Sequence, residues 1–470
     1  MTNELWWLTA EELAAAIRAR KVSPVEVVDA VLARIERLNP RLNAIVTLTA
    51  DDARRQAREA EAAVLRGDEL PPLHGLPLTV KDLHLTAGVR TTLGSKLFEH
   101  FTPDWDQPIV ERLKAAGAII LGKTNTSEFG LVPLACNSIF GDSHNPWNLD
   151  YNTGGSSGGA AAAVACGLGP LATASDGGGS IRIPASFCGV FGLKPQMGRV
   201  PHVAFPRGWE SLSHQGVLTR TVRDTALALD ILCGLHPKDR WSLPRPERSF
   251  LSACTGEARG LRIAWSPRLG NLPIEPAVMA VCEQAVRRFE QLGCHVTQVE
   301  LDLPDMSPAQ QAIVLCEAAA GMRPRRAEWE QTIYPATRKL LPNSDRLTYD
   351  DLLQAHWARE EYWERISPVF EEYDALLTPT APITAPQNGT LGPKIIDGQT
   401  VRALSWLGLC VPFNMTWQPA ASMPVGFDPL GLPVGLQIVG RRHDEWTVLQ
   451  LASAYEAAHP WASLHPPVCD

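Results

Sequence analysis

The stretch from Tyr151 to Pro195, YNTGGSSGGAAAAVACGLGPLATASDGGGSIRIPASFCGVFGLKP, constrains this chain more than any other. It holds two glycine-flanked serine clusters, Gly154-Gly155-Ser156-Ser157-Gly158-Gly159 and Gly177-Gly178-Gly179-Ser180. Between them Ala160 to Ala165 is small, apolar and strongly helix-forming. Glycines around a serine free the backbone, admit a ligand close to the main chain and leave N–H groups to face it. Two readings follow: a phosphate cradle, or a nucleophile beside an oxyanion hole. A P-loop needs G-x-x-x-x-G-K-[ST], and neither cluster has a lysine in that place. A flexible linker fits poorly, because a strand-like run, Ile181-Arg182-Ile183-Pro184, and the apolar Val190 to Leu193 follow at once.

The rest of the chain reads as alternating helices and strands. Thr9 with Glu12, and Ser23-Pro24-Val25-Glu26, are helix starts. The second helix is expected to stop near Asn39-Pro40, with a strand over 41–49 and a helix from Asp51 to Leu65. Leu76 to Val80 fits a buried strand that ends on Lys81. On spacing alone Lys81 reads as a lysine whose ammonium reaches solvent, and His74 and His84 beside it read as structural. A helix over Gln107–Ala116, closed by Gly117, precedes a buried strand over 118–122. After Pro195 a loop-rich stretch leads to a helix over Thr219–Leu232, and residues 235–258 look like an excursion. Strands are expected at 261–265, 294–299, 373–377 and 432–440, and helices at 277–292, 308–372 and 445–459, with a loop over 383–400. No repeat and no linker interrupts this pattern. One large α/β domain fits it. Residues 1–65 form a helical preamble packed on the core, and residues 66–470 form the domain proper, with its signature core at about 70–200.

Composition removes several function classes. In 470 residues, 45% are apolar and 20% charged, ordinary for a soluble globular protein. The net charge is −8 and no basic block stands out, which argues against nucleic-acid binding. Ten cysteines are scattered without a C-x-x-C pair, so neither a zinc ribbon nor a disulfide scaffold is indicated. Reduced thiols suit a cytoplasmic protein. The N-terminus lacks a signal-peptide pattern, and no 18-residue apolar run occurs, so no membrane association is expected.

Serine is a poor nucleophile at neutral pH and needs a base. No histidine lies in either glycine cluster. A lysine serves if burial lowers its pKa enough to leave the amine neutral. Three glycines before Ser180 supply main-chain N–H donors for an oxyanion. This constellation resembles the amidase signature family. The residues that carry the resemblance are Pro77-Leu78-Thr79-Val80-Lys81-Asp82, Gly154 to Gly159, Asp176 to Pro184, and Phe187 to Pro195. Ser23 to Asn43, Leu121 to Asn125, Asn145-Pro146-Trp147, Leu377 to Pro379 and Gly431 to Gly440 extend it over nearly the whole chain.

The resemblance implies a single large α/β/α domain with a central mixed sheet flanked by helices, and a Ser–Ser–Lys set, with Ser180 as nucleophile, Ser156 as bridging serine on a cis Gly155–Ser156 peptide, and Lys81 as base. It implies an oxyanion hole from the N–H groups of Gly177, Gly178, Gly179 and Ser180. Ser157, Asp176 and Arg182 become supporting residues, and Gly130, Leu131 and Trp417 candidate substrate contacts. The implied activity is hydrolysis of small-molecule carboxylic amides through an acyl-enzyme, without metal or cofactor; a homodimer is left open. The alternative is the glutamine-hydrolysing amidase subunit of a tRNA-dependent amidotransferase, with Arg359 and Asp444 placed to hold the glutamine's charged groups. Three departures stand out. Many members have Thr-Asp-Thr-Gly-Gly-Ser where this chain has Ser175-Asp176-Gly177-Gly178-Gly179-Ser180. Gln196 stands where threonine is common, and Trp417 where glycine is.

Overall fold

A computed structural model describes residues 4–255, 257–340 and 346–470. Residues 1–3, 256 and 341–345 lie outside that description, and with them small parts of the 1–65, 235–258 and 308–372 expectations.

Both N-terminal capping boxes form, at Thr9/Glu12 ahead of α1 (Ala10–Arg18) and at Ser23/Glu26 ahead of α2 (Pro24–Leu42). α2 runs past its expected stop. Pro40 sits exposed in the last turn, where its missing N–H costs only one bond. The helix ends instead at Asn43, in the left-handed region at φ 47°, with the Asn43 N–H donating to Asn39 O at 2.8 Å. Two further helices of the N-terminal half are α3 (Ala50–Arg66) and α4 (Pro108–Ala115).

Fifteen strands form among the described residues: β1 (Ile45–Leu48), β2 (Pro77–Lys81), β3 (Ile119–Thr124), β4 (Cys136–Asn137), β5 (Gly141–Asp142), β6 (Leu171–Asp176), β7 (Phe191–Lys194), β8 (His214–Thr219), β9 (Arg262–Trp265), β10 (His295–Gln298), β11 (Ala375–Pro379), β12 (Ile395–Ile396), β13 (Gln399–Thr400), β14 (Ala420–Phe427) and β15 (Pro433–Gly440). Eleven of them build one sheet in the order β1-β3-β2-β6-β8-β7-β14-β15-β11-β9-β10. The sheet is mixed: β2 is parallel to β3 and β6, while β8 is antiparallel to β6 and β7. β4 with β5, and β12 with β13, are two-stranded hairpins, the second inside the expected 383–400 loop. Three central strands, β6, β8 and β14, lie where no strand was expected from the sequence.

Side-chain alternation fixes what each face packs against. On β8, Leu218 packs with Ala161 and Val164 of α5 (Gly158–Ala165) and Ala185 of α6 (Arg182–Cys188). Its neighbour Val217 belongs to the larger core, with Val222 and Ala226 of α7 (Val222–Leu232). Helices therefore cover both faces. α2, α3 and α5 bury a separate cluster with Ile119 and Leu121 of β3.

The run Ile181–Pro184 is helical, not the strand its β-branched residues suggested. Asp176 accepts the N–H of Ile181 at 3.1 Å and of Arg182 at 3.4 Å, which satisfies orphan donors at the start of α6. Pro184 stands in the first turn, where no N–H is required. Gly189, at φ 68°, ends the helix. Among the described residues no helix is long and apolar enough to cross a membrane.

Candidate active site

Lys81 is the last residue of β2. Leu78 and Val80 point into the α7 core, so alternation turns Lys81 toward the layer that holds α5. The two residues before α5 are Ser156 and Ser157. Close approach explains their glycines: a Cβ on Gly155 would stand 2.4 Å from Leu134 N. The Gly155–Ser156 peptide is cis, as the resemblance implied.

The Lys81 side chain is completely buried, at 0% exposure, and does not reach solvent as its spacing alone suggested. A shell of serine oxygens replaces water. Nζ lies 2.7 Å from Ser156 Oγ, 2.7 Å from Ser157 Oγ, 2.9 Å from Ser175 Oγ and 3.5 Å from Ser175 O. Burial pushes the Lys81 amine well below the ordinary lysine pKa, and the Asp176 charge only partly opposes it. Thr173 Oγ1 accepts the Lys81 N–H at 2.9 Å and contacts His84 Nδ1 at 2.8 Å, while His84 Nε2 meets Gln215 Oε1 at 2.7 Å. His84 is thus a buried bracket behind Lys81, and burial holds it neutral. His74 contacts Ala60 O at 3.0 Å and lies apart.

Ser180 stands between β6 and α6. Its carbonyl accepts the Ser157 N–H at 3.3 Å, which joins the two glycine clusters. Its hydroxyl is half-buried and makes no hydrogen bond among the described residues. Asp176 and Arg182 form a fully buried ion pair at 2.9 Å. Burial raises the Asp176 carboxyl, but the Arg182 guanidinium outweighs it and holds it well below the usual carboxylate range. Arg182 also donates to Cys410 O, Gln437 Oε1 and Asn414 Oδ1, and Asn414 Nδ2 donates to Asp176 Oδ1 at 2.9 Å.

That network corrects one expected donor. The Gly179 N–H is spent on Asp176 Oδ1 at 2.7 Å, so it cannot also face an oxyanion. Among the described residues the N–H groups of Gly177, Gly178 and Ser180 carry no hydrogen bond and stay available.

A cavity of about 150 Å³ opens on Ser180 and Gly178, with Gly130 and Leu131 on its wall. Gly130 abuts the site directly, since a Cβ there would lie 3.4 Å from Ser156 Oγ. Trp417 is not brought into this wall. Its Nε1 donates to Ser211 O at 2.8 Å and its ring packs edge-on against Trp241. Arg359 and Asp444 also lie elsewhere. Arg359, 9% exposed, donates to Ser211 Oγ at 3.3 Å, and Asp444 caps the C-terminal helix Glu445–Ala458 through the Thr447 N–H at 3.0 Å.

Sequence reasoning assigned no role to Ser175, Asn414, Gln310 or Trp209. Ser175 stood in the quoted motif, one residue before Asp176, and that adjacency was its only signal. Asn414 and Gln310 arrive from distant helices and carried none. Gln310 Nε2 donates to Gly177 O at 3.3 Å, and Trp209 lies against Gly177 on the cavity wall.

A buried lysine among serines, beside a serine whose loop offers free N–H groups, is an arrangement able to run acyl transfer through a serine nucleophile. The family model Amidase matches residues 26–449. The chain is 38% identical over 473 residues to an acylamidase of Rhodococcus erythropolis, covering 99% of this chain and 98% of that one. It is 37% identical to a glutamyl-tRNA(Gln) amidotransferase subunit of Moorella thermoacetica, covering 98% of this chain and 99% of that one. A bacterial aryl acylamidase of the amidase signature family superposes with a TM-score of 0.91 at 32% identity, over 97% of each chain. The 6-aminohexanoate cyclic dimer hydrolase superposes with a TM-score of 0.90 at 29% identity, over 99% of this chain and 100% of that one. The chain belongs to the amidase signature family.

Proposed function

We propose that this enzyme hydrolyses small carboxylic amides to the acid and ammonia or an amine, with Ser180 as nucleophile, Ser156 as bridge and Lys81 as base. The hydrogen bonds around Lys81 carry this reading. A neutral amine has two N–H donors and one lone pair. The Ser157 hydroxyl donates to Ser175 O at 3.2 Å, so its oxygen is free to accept from Lys81. Ser175 Oγ takes the second N–H. The lone pair then faces Ser156 Oγ, whose proton it draws. Ser156 in turn takes the Ser180 proton as Ser180 Oγ attacks the amide carbon. The carbonyl pair moves onto oxygen and is held by the N–H groups of Gly178 and Ser180, with Gly177 beside them. Collapse expels the amine, which leaves with the relayed proton and yields the acyl-enzyme. Water, deprotonated by the same relay, attacks the ester, and Ser180 recovers its proton as the acid departs. Asp176 and Arg182 hold the 177–182 backbone in place and do not touch substrate.

The rival reading, glutamine hydrolysis for an amidotransferase, relied on Arg359 and Asp444. Both are committed to partners away from the Ser180 cavity, which supports a free-standing enzyme. The cavity wall itself is mixed, with Leu131, Val132, Leu315 and Val411 apolar and Asp305 and Arg402 charged, so it does not decide between the two readings. The test is release of ammonia or amine by the purified chain from aliphatic, aryl and peptide amides, with glutamine included. Turnover of several simple amides by the chain alone is expected. Activity confined to glutamine, or appearing only with a partner, would replace this reading with the amidotransferase one.

A further inference from the structure

Position 177 is where the chain departs from the common family pattern beside the chemistry. Gly177 is not in the left-handed region, so backbone freedom does not explain it. Space does. A Cβ on Gly177 would stand 2.6 Å from both Cε3 and Cζ3 of Trp209, which real contacts essentially never show. The indole occupies the volume that a side chain at 177 would take. Trp209 also lines the cavity that opens on Ser180 and Gly178, together with Leu131, Val132 and Leu315.

The ring is held there from behind. The Trp209 carbonyl accepts the N–H of Ser213 at 2.9 Å, closing a turn. Glu317 accepts the Glu210 N–H at 2.9 Å, and Trp417 Nε1 fixes Ser211 O at 2.8 Å. Arg359 holds Ser211 Oγ at 3.3 Å. The helix Ser307–Met322 accepts this loop closely at Gly321, where a Cβ would stand 1.7 Å from Arg207 O. Trp417 and Arg359, both expected at the substrate, are therefore anchors of the loop that presents Trp209. On the other side Gln310 ties Gly177 O.

We propose that Trp209 is the specificity-determining residue of this site, and that it selects amides carrying a flat apolar ring next to the scissile bond. The inference deepens the amidase reading and rests on it for the position of the reacting carbonyl. The cavity of about 150 Å³ is large enough for a benzene ring, and Leu131, Val132, Leu315 and Val411 give it apolar surface, with polar residues such as Asp305 and Arg402 on the rest of its wall. An indole at its edge offers offset or edge-on ring packing.

The experiment compares acetanilide and benzamide with propionamide, on the full chain and on Trp209→Ala, Trp209→Phe, Gly177→Ala and the Gly177→Ala/Trp209→Ala pair. Trp209→Ala is expected to cut kcat/KM for the ring-bearing amides about tenfold and for propionamide less than about twofold. Trp209→Phe keeps most of the preference. Gly177→Ala alone displaces the indole and lowers ring-amide turnover about tenfold, and its added cost on the ring-bearing amides shrinks severalfold once Trp209 is alanine. Equal losses on ring-bearing and aliphatic amides, or a Gly177→Ala penalty unchanged in the Trp209→Ala background, would overturn the proposal. Equilibrium binding of acetanilide and benzamide to Ser180→Ala protein gives a readout without turnover. Weakening of either about tenfold on adding Trp209→Ala supports the proposal even if hydrolysis fails. Failure of both to bind, or binding indifferent to Trp209, rejects it even if hydrolysis of other amides stands.

Discussion

Two lysines stand side by side in this sheet, both wholly buried and both on hydrogen-bonded strands. Lys81 ends β2, and Lys123 on β3 pairs in register with Val80. Their surroundings differ. Lys81 meets three serine hydroxyls, and the nearest charge opposing its loss of a proton, Asp176, is already committed to Arg182. Lys123 donates to His84 O, to Thr86 Oγ1 at 2.9 Å and to Thr91 Oγ1 at 3.0 Å, all buried, and Asp82 supports its charge. Burial pushes both amines down, and in Lys123 the Asp82 charge opposes it. One of them also borders Ser156, and through Gly130 the substrate cavity. On the proposed mechanism, burial alone therefore does not make a base. An uncharged shell and a hydroxyl that leads to the cavity are also required.

The sharpest way to break this comparison is to exchange the roles by deletion. Ser180→Ala or Lys81→Ala should lower kcat/KM by roughly 10⁴-fold, with the melting temperature little changed for the serine variant. Near-normal turnover by Lys81→Ala at neutral pH would remove Lys81 as the base. Lys123→Met should do the opposite, costing about 3 kcal/mol of stability because Asp82 loses its buried counter-charge, while the folded fraction keeps its kcat.

The sign of the pH effect follows from burial. Burial raises the Asp82 pKa, and Lys123 opposes that rise. A carboxyl raised in the folded state contributes stability at acid pH that is lost as pH climbs through the folded value. Without Lys123 the rise is larger, so the loss at pH 8 grows. At low pH wild type must also protonate a buried, depressed lysine, a cost the variant escapes. The melting-temperature deficit of Lys123→Met should therefore be larger at pH 8 than at pH 5. A deficit independent of pH would mean that packing alone connects these two groups.

The same contrast shows what could be read from the chain. Ser156, Ser157 and Ser180 stood out because glycines frame them within short windows, whereas spacing alone pointed Lys81 to solvent and only the family resemblance drew it into the site. Alternating elements made an α/β domain legible, whereas the mixed character of the sheet came from the family resemblance, since alternation alone points to parallel strands. β8 was not legible, because His214, Gln215 and Thr219 break any apolar run; Gln215 is polar because it faces His84. β14 was hidden by Pro424 and Gly426, which flank a register shift that the neighbouring strand β15 accommodates. Trp209 and Gln310 act on Gly177 from far along the chain, and no local pattern records such a contact. The Gly179 N–H looked free in sequence and is not, because Asp176 folds back upon it.

The pH profile of turnover sharpens the comparison from the Lys81 side. Only the neutral amine can accept a proton from Ser156, so kcat/KM should fall about tenfold per pH unit below the Lys81 pKa. That pKa is depressed, so the fall should lie on the acid limb, well under the lysine range near 10.4. The same limb persisting in the residual activity of Lys81→Ala would assign it to another group.

The smallest effect comes from Ser175→Ala. Ser175 Oγ takes one of the two Lys81 N–H groups at 2.9 Å, and its carbonyl at 3.5 Å is a poorer substitute. Losing that acceptor lets the amine rotate away from Ser156 and should cost about fivefold in kcat with KM unchanged, in line with the roughly 1 kcal/mol of one buried hydrogen bond. The lost acceptor is uncharged, so the acid limb should move less than it would on losing a carboxylate. Thr86→Val removes an acceptor at the same 2.9 Å distance from Lys123 and should leave kcat alone while lowering stability by a similar amount. If the two variants lost the same rate, hydrogen bonding to a buried lysine would not distinguish the proposed base from its structural neighbour, and the cavity beside Ser156 would have to carry the whole difference.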